Sequence, residues 1–142
     1  MEKEKLYQVT LTESQLRLIS HAVEDWCRFL AGQCELDHAT SYAKDIRGVR
    51  EMLNNFIRPY IVPELRHIGQ SYDWAGNGCP NEHQKKAIAM SYMIYREIIH
   101  YLTIHNDKDN SWNVYNSPTL TCKEQGPLIK IEEVNNGNKW FS

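Results

Sequence analysis

The sequence predicts an α+β fold, mainly helical, with three principal helices carrying the core and a small antiparallel sheet formed by the N- and C-terminal segments. Three observations lead there. Apolar residues recur at intervals of three and four over three long stretches, the period of an amphipathic helix. Short runs near both ends alternate apolar and polar side chains, the period of a half-buried strand. The length, 142 residues, suits a single domain whose core needs neither disulfide nor metal. The ordered core is expected over residues 5 to 134, with a frayed C-terminal tail.

In chain order, Lys5-Leu-Tyr-Gln-Val-Thr-Leu11 reads as a first strand. Thr12-Glu-Ser-Gln15 is a capping-box pattern and opens helix one, in which Leu16, Ile19, Val23, Trp26 and Leu30 make one apolar stripe, with a stop at Gly32. A second amphipathic stretch carries Ala43, Ile46, Val49, Leu53 and Phe56 on one side and Lys44, Arg47, Glu51 and Asn54 on the other, and is expected to end near Ile57, ahead of Pro59 and Pro63. The glycines and asparagine of Ser71-Tyr-Asp-Trp-Ala-Gly-Asn-Gly78 suit a loop. Pro80, at a first helical turn, opens the longest helical pattern, which runs to His105 and is apolar nearly all round; such a helix is central in the fold or lies at a subunit contact. Trp112 to Tyr115 and Leu128 to Val134 read as the remaining strands.

Composition narrows the function classes. Apolar residues make up 42% and charged residues 24%, the balance of a globular protein. The formal net charge of -2 argues against a duplex nucleic-acid binder, which masses Lys and Arg on one face. Only the middle of the chain is mildly basic, and it holds Arg47, Arg50, Arg58, Arg66 and Arg96, enough for a small anion pocket. No apolar run approaches the roughly 20 residues that span a bilayer, and the start of the chain shows no signal-peptide block, so no membrane partner and a cytoplasmic location are expected. Cys27, Cys34, Cys79 and Cys122 are then expected reduced. Cys34-x3-His38 and Cys79-x3-His83 share an offset that a zinc site could use, but the tight cysteine pair of structural zinc sites is missing, and neither a metal nor a cofactor is expected.

Several short motifs carry a resemblance: Leu11-Thr12-x-x-Gln15-Leu16-Arg17 opening a helix, Gly32-Gln33 after it, Tyr95-Arg96-x-x-Ile99-His100 in the late helix, and Gly126-Pro127-Leu128-x-Lys130-Ile131-Glu132 near the end. Together they resemble a family of small uncharacterised proteins of tailed bacteriophages and prophages of gut bacteria. The resemblance implies a host-cytoplasmic phage protein, acting as a virion or replication accessory or against host defence. The defence group includes proteins that sequester nucleotide immune signals.

A nucleotide pocket needs aromatic faces for the base and cationic or N–H donors for phosphate. Arg96 and His100 sit four apart on one face of the apolar helix, where they require an anionic partner: a ligand phosphate, or a carboxylate such as Glu24 or Asp25. Arg47 and Arg50 are either a solvated helix face or a second basic group at a cleft shared between subunits. Tyr72 and Trp74 in the Gly-rich loop, with Trp112 and Tyr95, are the candidate stacking residues, whereas Trp26 reads as core packing. G-x-S-x-G, Walker A, H-E-x-x-H and G-x-G-x-x-G are all missing, and the scattered pair His67 and His100 gives only a weak case for phosphodiester hydrolysis. The expectation is a non-enzymatic, homo-oligomeric binder of a small anionic nucleotide that sequesters an immune signal such as a cyclic ADP-ribose derivative or cyclic dinucleotide. The alternatives are an interaction or virion accessory protein without a small ligand and, third, a phosphodiesterase acting on those nucleotides.

Overall fold

A computed structural model describes residues 4–105, 115 and 117–134. Helix α1, Glu13–Ala31, begins on the expected capping box: the Gln15 amide donates to Thr12 Oγ1 at 3.1 Å and the Thr12 amide donates to Gln15 Oε1 at 2.9 Å. It stops where Gly32 turns left-handed at φ 108°, its amide and that of Gln33 closing onto the carbonyls of Phe29 and Arg28. A short helix α2, Asp37–Thr40, follows. Helix α3, Ile46–Met52, is capped by Asp45, whose carboxylate accepts from the Gly48 amide at 2.9 Å.

The second amphipathic stretch does not end at Ile57. A π turn, Leu53–Ile57, leads into α4, Arg58–Ile61, which takes Pro59 into its first turn. Pro59 has no N–H, and its ring would strike the carbonyl four residues earlier in a regular α-helix. The wider π turn, closed by the Arg58 amide on Leu53 O, makes room for it.

Helix α5, Glu82–His105, runs the expected length and is central, with Ile88, Met93, Ile98 and Leu102 among its buried side chains. Its start differs by one step: Asn81, not Pro80, caps it, accepting from the Gln84 amide at 3.1 Å. The Gly-rich loop between α4 and α5 is present, with Gly76 and Gly78 at positive φ and Asp73 accepting from the amides of Ala75 and Asn77.

Helix α1 lies against α5 with only part of its predicted apolar stripe: Val23 and Leu30 pack on the core, whereas Ile19 and Trp26 turn outward. The residues it buries are Ser20, Asp25, Cys27 and Ala31, while Trp26 is 54% exposed and Leu18 and Ile19 also face outward. The assignment of Trp26 to the core is therefore corrected. Small side chains on α1 let the backbones approach, so that Ser20 Oγ donates to Tyr95 O and Cys27 Sγ to Ile88 O, each at 3.4 Å. The bulk between them comes from Ile88, Tyr92 and Tyr95 on α5, joined by Val62, Tyr72 and Cys79.

The antiparallel sheet is also corrected: there is no strand among the described residues, and the fold is mainly helical. Residues 5–11 have strand composition but no ladder, and Leu6 is 86% exposed. Strand propensity expresses fit to a pleated neighbour and is ineffective without one. Residues 128–134 are likewise irregular, and Trp112 to Val114 lie outside the described residues. The C-terminal segment is instead pinned to α5 through a 3-10 turn, Lys123–Gln125. Gln125 is fully buried, accepting from the Cys122 amide and donating to Leu120 O, both at 3.0 Å. Among the described residues no helix is long and apolar enough to cross a membrane.

Candidate functional site

The Arg96–His100 couple lies on one face of α5, as the spacing requires, and Arg96 is buried. It turns toward the chain just beyond α5. His100 Nδ1 meets Tyr115 O at 2.7 Å, Arg96 Nη2 donates to Ser117 Oγ at 3.1 Å, and the guanidinium stands 5.0 Å from the centre of the Tyr115 ring. The carboxylates expected to neutralise it are engaged elsewhere. Glu24 holds Arg28 at 3.0 Å and His38 at 2.9 Å, and Asp25 accepts the amides of His38 and Ala39 at the start of α2.

The remaining predicted residues fall in two other places. Tyr72 is in the core, its hydroxyl donating to Glu64, and burial followed by that carboxylate raises its pKa. Trp74 packs partly buried on the same cluster, 5.3 Å from the Tyr92 ring, which in turn meets Tyr95 edge to face. The exposed stacking surface expected of this loop is corrected: its glycines let the chain turn inward and bury Tyr72. Arg47 and Arg50 lie on α3, paired to Glu51 at 3.1 Å and Asp37 at 3.4 Å. Trp112 lies outside the described residues.

The C-x3-H pairs do not converge. Cys34 is fully buried and donates to Phe29 O, burial pushing its pKa up to about 11, away from the thiolate a metal takes. Cys79 Sγ faces Asn81 O. No group of three or more metal-ligating side chains occurs among the described residues.

Two features escaped the sequence reading. The first is Arg58, 2% exposed, which the sequence places only among the arginines available for an anion pocket. It donates to Gly32 O at 2.9 Å, Leu65 O at 2.8 Å, His67 O at 2.9 Å and Gln70 O at 2.7 Å, and no carboxylate among the described residues pairs with it. This staple fixes the start of α4. The second is the outer face of residues 46–60. Neither α3 nor the π turn buries a residue, and the substantial contacts of α3 are with α2 and the π turn. Ile46, Val49, Met52, Phe56, Ile57 and Tyr60 are all left exposed. Met52, Ile57 and Tyr60 fall outside the stripe predicted for a single buried face, and that surplus of apolar residues was the available signal.

No family model matches the sequence, and no curated protein or solved structure matches it, so the phage resemblance rests on the sequence motifs alone.

Proposed function

We propose that this chain works as a protein-interaction module that docks through the apolar face of residues 46–60, and that a second copy of the chain is the partner. One observation carries the reading: from α3 through the π turn to α4, six large apolar side chains lie outside the core, with exposures from 36% at Val49 to 86% at Tyr60. Short helices gain little stability on their own, so an exposed apolar face of this kind is stabilised by covering it. Burying these six side chains removes on the order of 700 Å² from one partner, close to the roughly 800 Å² that each side gives to a standard interface. The rim does not oppose self-association: Asp45 and Glu51 alternate with Arg47 and Arg50, so a second copy meets no surface of a single sign.

The test is light scattering over a concentration series on the parent chain and on Phe56→Asp. The parent dimerises. Because Phe56 is exposed, the substitution leaves the helical circular dichroism unchanged, while a central aromatic lost from both copies costs about 4 kcal/mol, roughly a thousandfold in dissociation constant. A parent chain that stays monomeric at its highest soluble concentration overturns the reading. The nucleotide-sequestering reading built on Arg96 and His100 then takes its place if cyclic dinucleotides or ADP-ribose derivatives raise the melting temperature of that monomer.

A further inference from the structure

Where α2 meets α1, two imidazoles are stacked. The rings of His21 and His38 lie 4.1 Å apart and within 6° of parallel, and His38 Nε2 reaches Glu24 Oε1 at 2.9 Å. The backbone below is tied by Asp25, which accepts the His38 amide at 3.1 Å and the Ala39 amide at 2.8 Å. Just ahead of this contact Leu36 is held at φ 52°, the left-handed region that a branched side chain adopts only under constraint. Beyond it, α2 holds α3 through Arg50, which donates to Thr40 Oγ1 at 3.0 Å.

We propose that the His21–His38 stack on Glu24 is an acid-sensitive clasp, holding the arm formed by α2 and α3 against α1 and freeing it when both imidazoles carry a proton. A single proton on the stack strengthens the contact, since one imidazolium then faces a neutral ring with the Glu24 carboxylate beside it. A second places two cations face to face, one carboxylate between them, and the strain at Leu36 then favours opening. Among the other groups facing the pair, the carboxylates of Glu24 and Asp25 favour a charged His21 ring and Arg17 opposes it, but the carboxylates do not outweigh burial and the facing His38. On α1, Arg17 adds positive charge, Glu24 is already shared with Arg28, and Asp25 is held by the α2 amides. Asp37 on α2 is bonded to Arg50, and from the side of α5 the groups are the phenols of Tyr95 and Tyr115, which face Glu24 and Arg28. Burial, and then the neighbouring His38, lower the His21 pKa from its ordinary value of 6.5. A base depressed in the folded state contributes stability that is complete above its unfolded pKa and lost as the pH falls through the folded one, so the clasp opens on acidification, below the ordinary histidine value of 6.5. Arg58 carries no such switch and keeps the far end of the arm attached. The effect of opening on association rests on the reading of the 46–60 face given above.

Hydrogen exchange of the full chain at pH 7.5 and pH 5.0, corrected for intrinsic rates, tests the clasp. The expected result is at least a tenfold loss of protection at the His38 and Ala39 amides and through 46–52 at the lower pH, with residues 88–98 of α5 unchanged. His21→Phe keeps a ring to stack but takes no proton, and abolishes the pH effect; His21→Gln, without a ring, does the same from a lower starting protection. Equal protection of the parent at both pH values overturns the proposal, as does a pH effect that survives in both variants. Light scattering on the same samples separates the two claims, because absence of association at either pH counts against the docking face and leaves the exchange result to decide the clasp.

Discussion

Replacing Arg58 by Met keeps the length of the side chain and its aliphatic packing but removes five N–H donors from a buried site. Four carbonyls lose their partner. Those of His67 and Gln70 belong to exposed residues and regain water, whereas Gly32 is buried and Leu65 half-buried. Hydrogen bonds from a charged donor contribute roughly 1.5–3 kcal/mol each where the acceptor cannot reach water, so the two inner bonds set a loss of about 3–6 kcal/mol. Arg58→Lys retains the charge but has a compact ammonium in place of the fork, reaching some of the acceptors and losing about half as much. With a urea dependence of about 2 kcal/mol per molar for a chain of this size, the unfolding midpoint falls by roughly 2 M for the Met variant and 1 M for the Lys variant, at constant slope. Urea unfolding followed by tryptophan fluorescence and circular dichroism measures both. A Met variant within about 0.5 kcal/mol of the parent, the range of an ordinary surface substitution, would refute the claim that this guanidinium organises the turn.

Gly32→Ala is expected to cost about 2 kcal/mol, because Gly32 sits at φ 108° and an added Cβ would come within 3.1 Å of Gln70 O; the same urea assay reads it, and a neutral result would mean that the backbone there relaxes freely. Thiol chemistry should rank the cysteines by burial. Burial raises both Cys27 and Cys34 to about 11, so at pH 8 they stay protonated and react with a disulfide reagent only as the chain unfolds, whereas the half-buried Cys122 labels first; mass spectrometry of the partially labelled chain checks the order.

Helices α1 and α5 were legible in the sequence because their signals are local. Thr12 and Gln15 reach each other across three residues, Gly32 supplies a conformation that most side chains avoid, and the span of α5 follows from a long stretch without Gly or Pro. The site residues were less legible. The shared face of Arg96 and His100 follows from helical spacing, but that they meet Tyr115 and Ser117 depends on where the chain returns after α5. The burial of Tyr72 depends on a loop folding inward, which composition does not encode.

By itself, then, the sequence determined where α1 starts and how far both long helices run, since caps and periodicity act within one or two turns. Periodicity in α1 marked Val23 and Leu30, which pack on the core, but only the tertiary structure decided that Ser20, Cys27 and Ala31 are buried beside them in place of Ile19 and Trp26, because α5 supplies Ile88, Tyr92 and Tyr95 to fill the gap. The same holds for the ends of the chain, whose strand-like residues form no ladder among the described residues. It holds also for Asp25 and Arg58, one capping a helix thirteen residues downstream and the other collecting carbonyls from two separate turns. Hydrogen-bond acceptors of the backbone are alike at every residue, so only their placement in space selects the ones a buried side chain will hold.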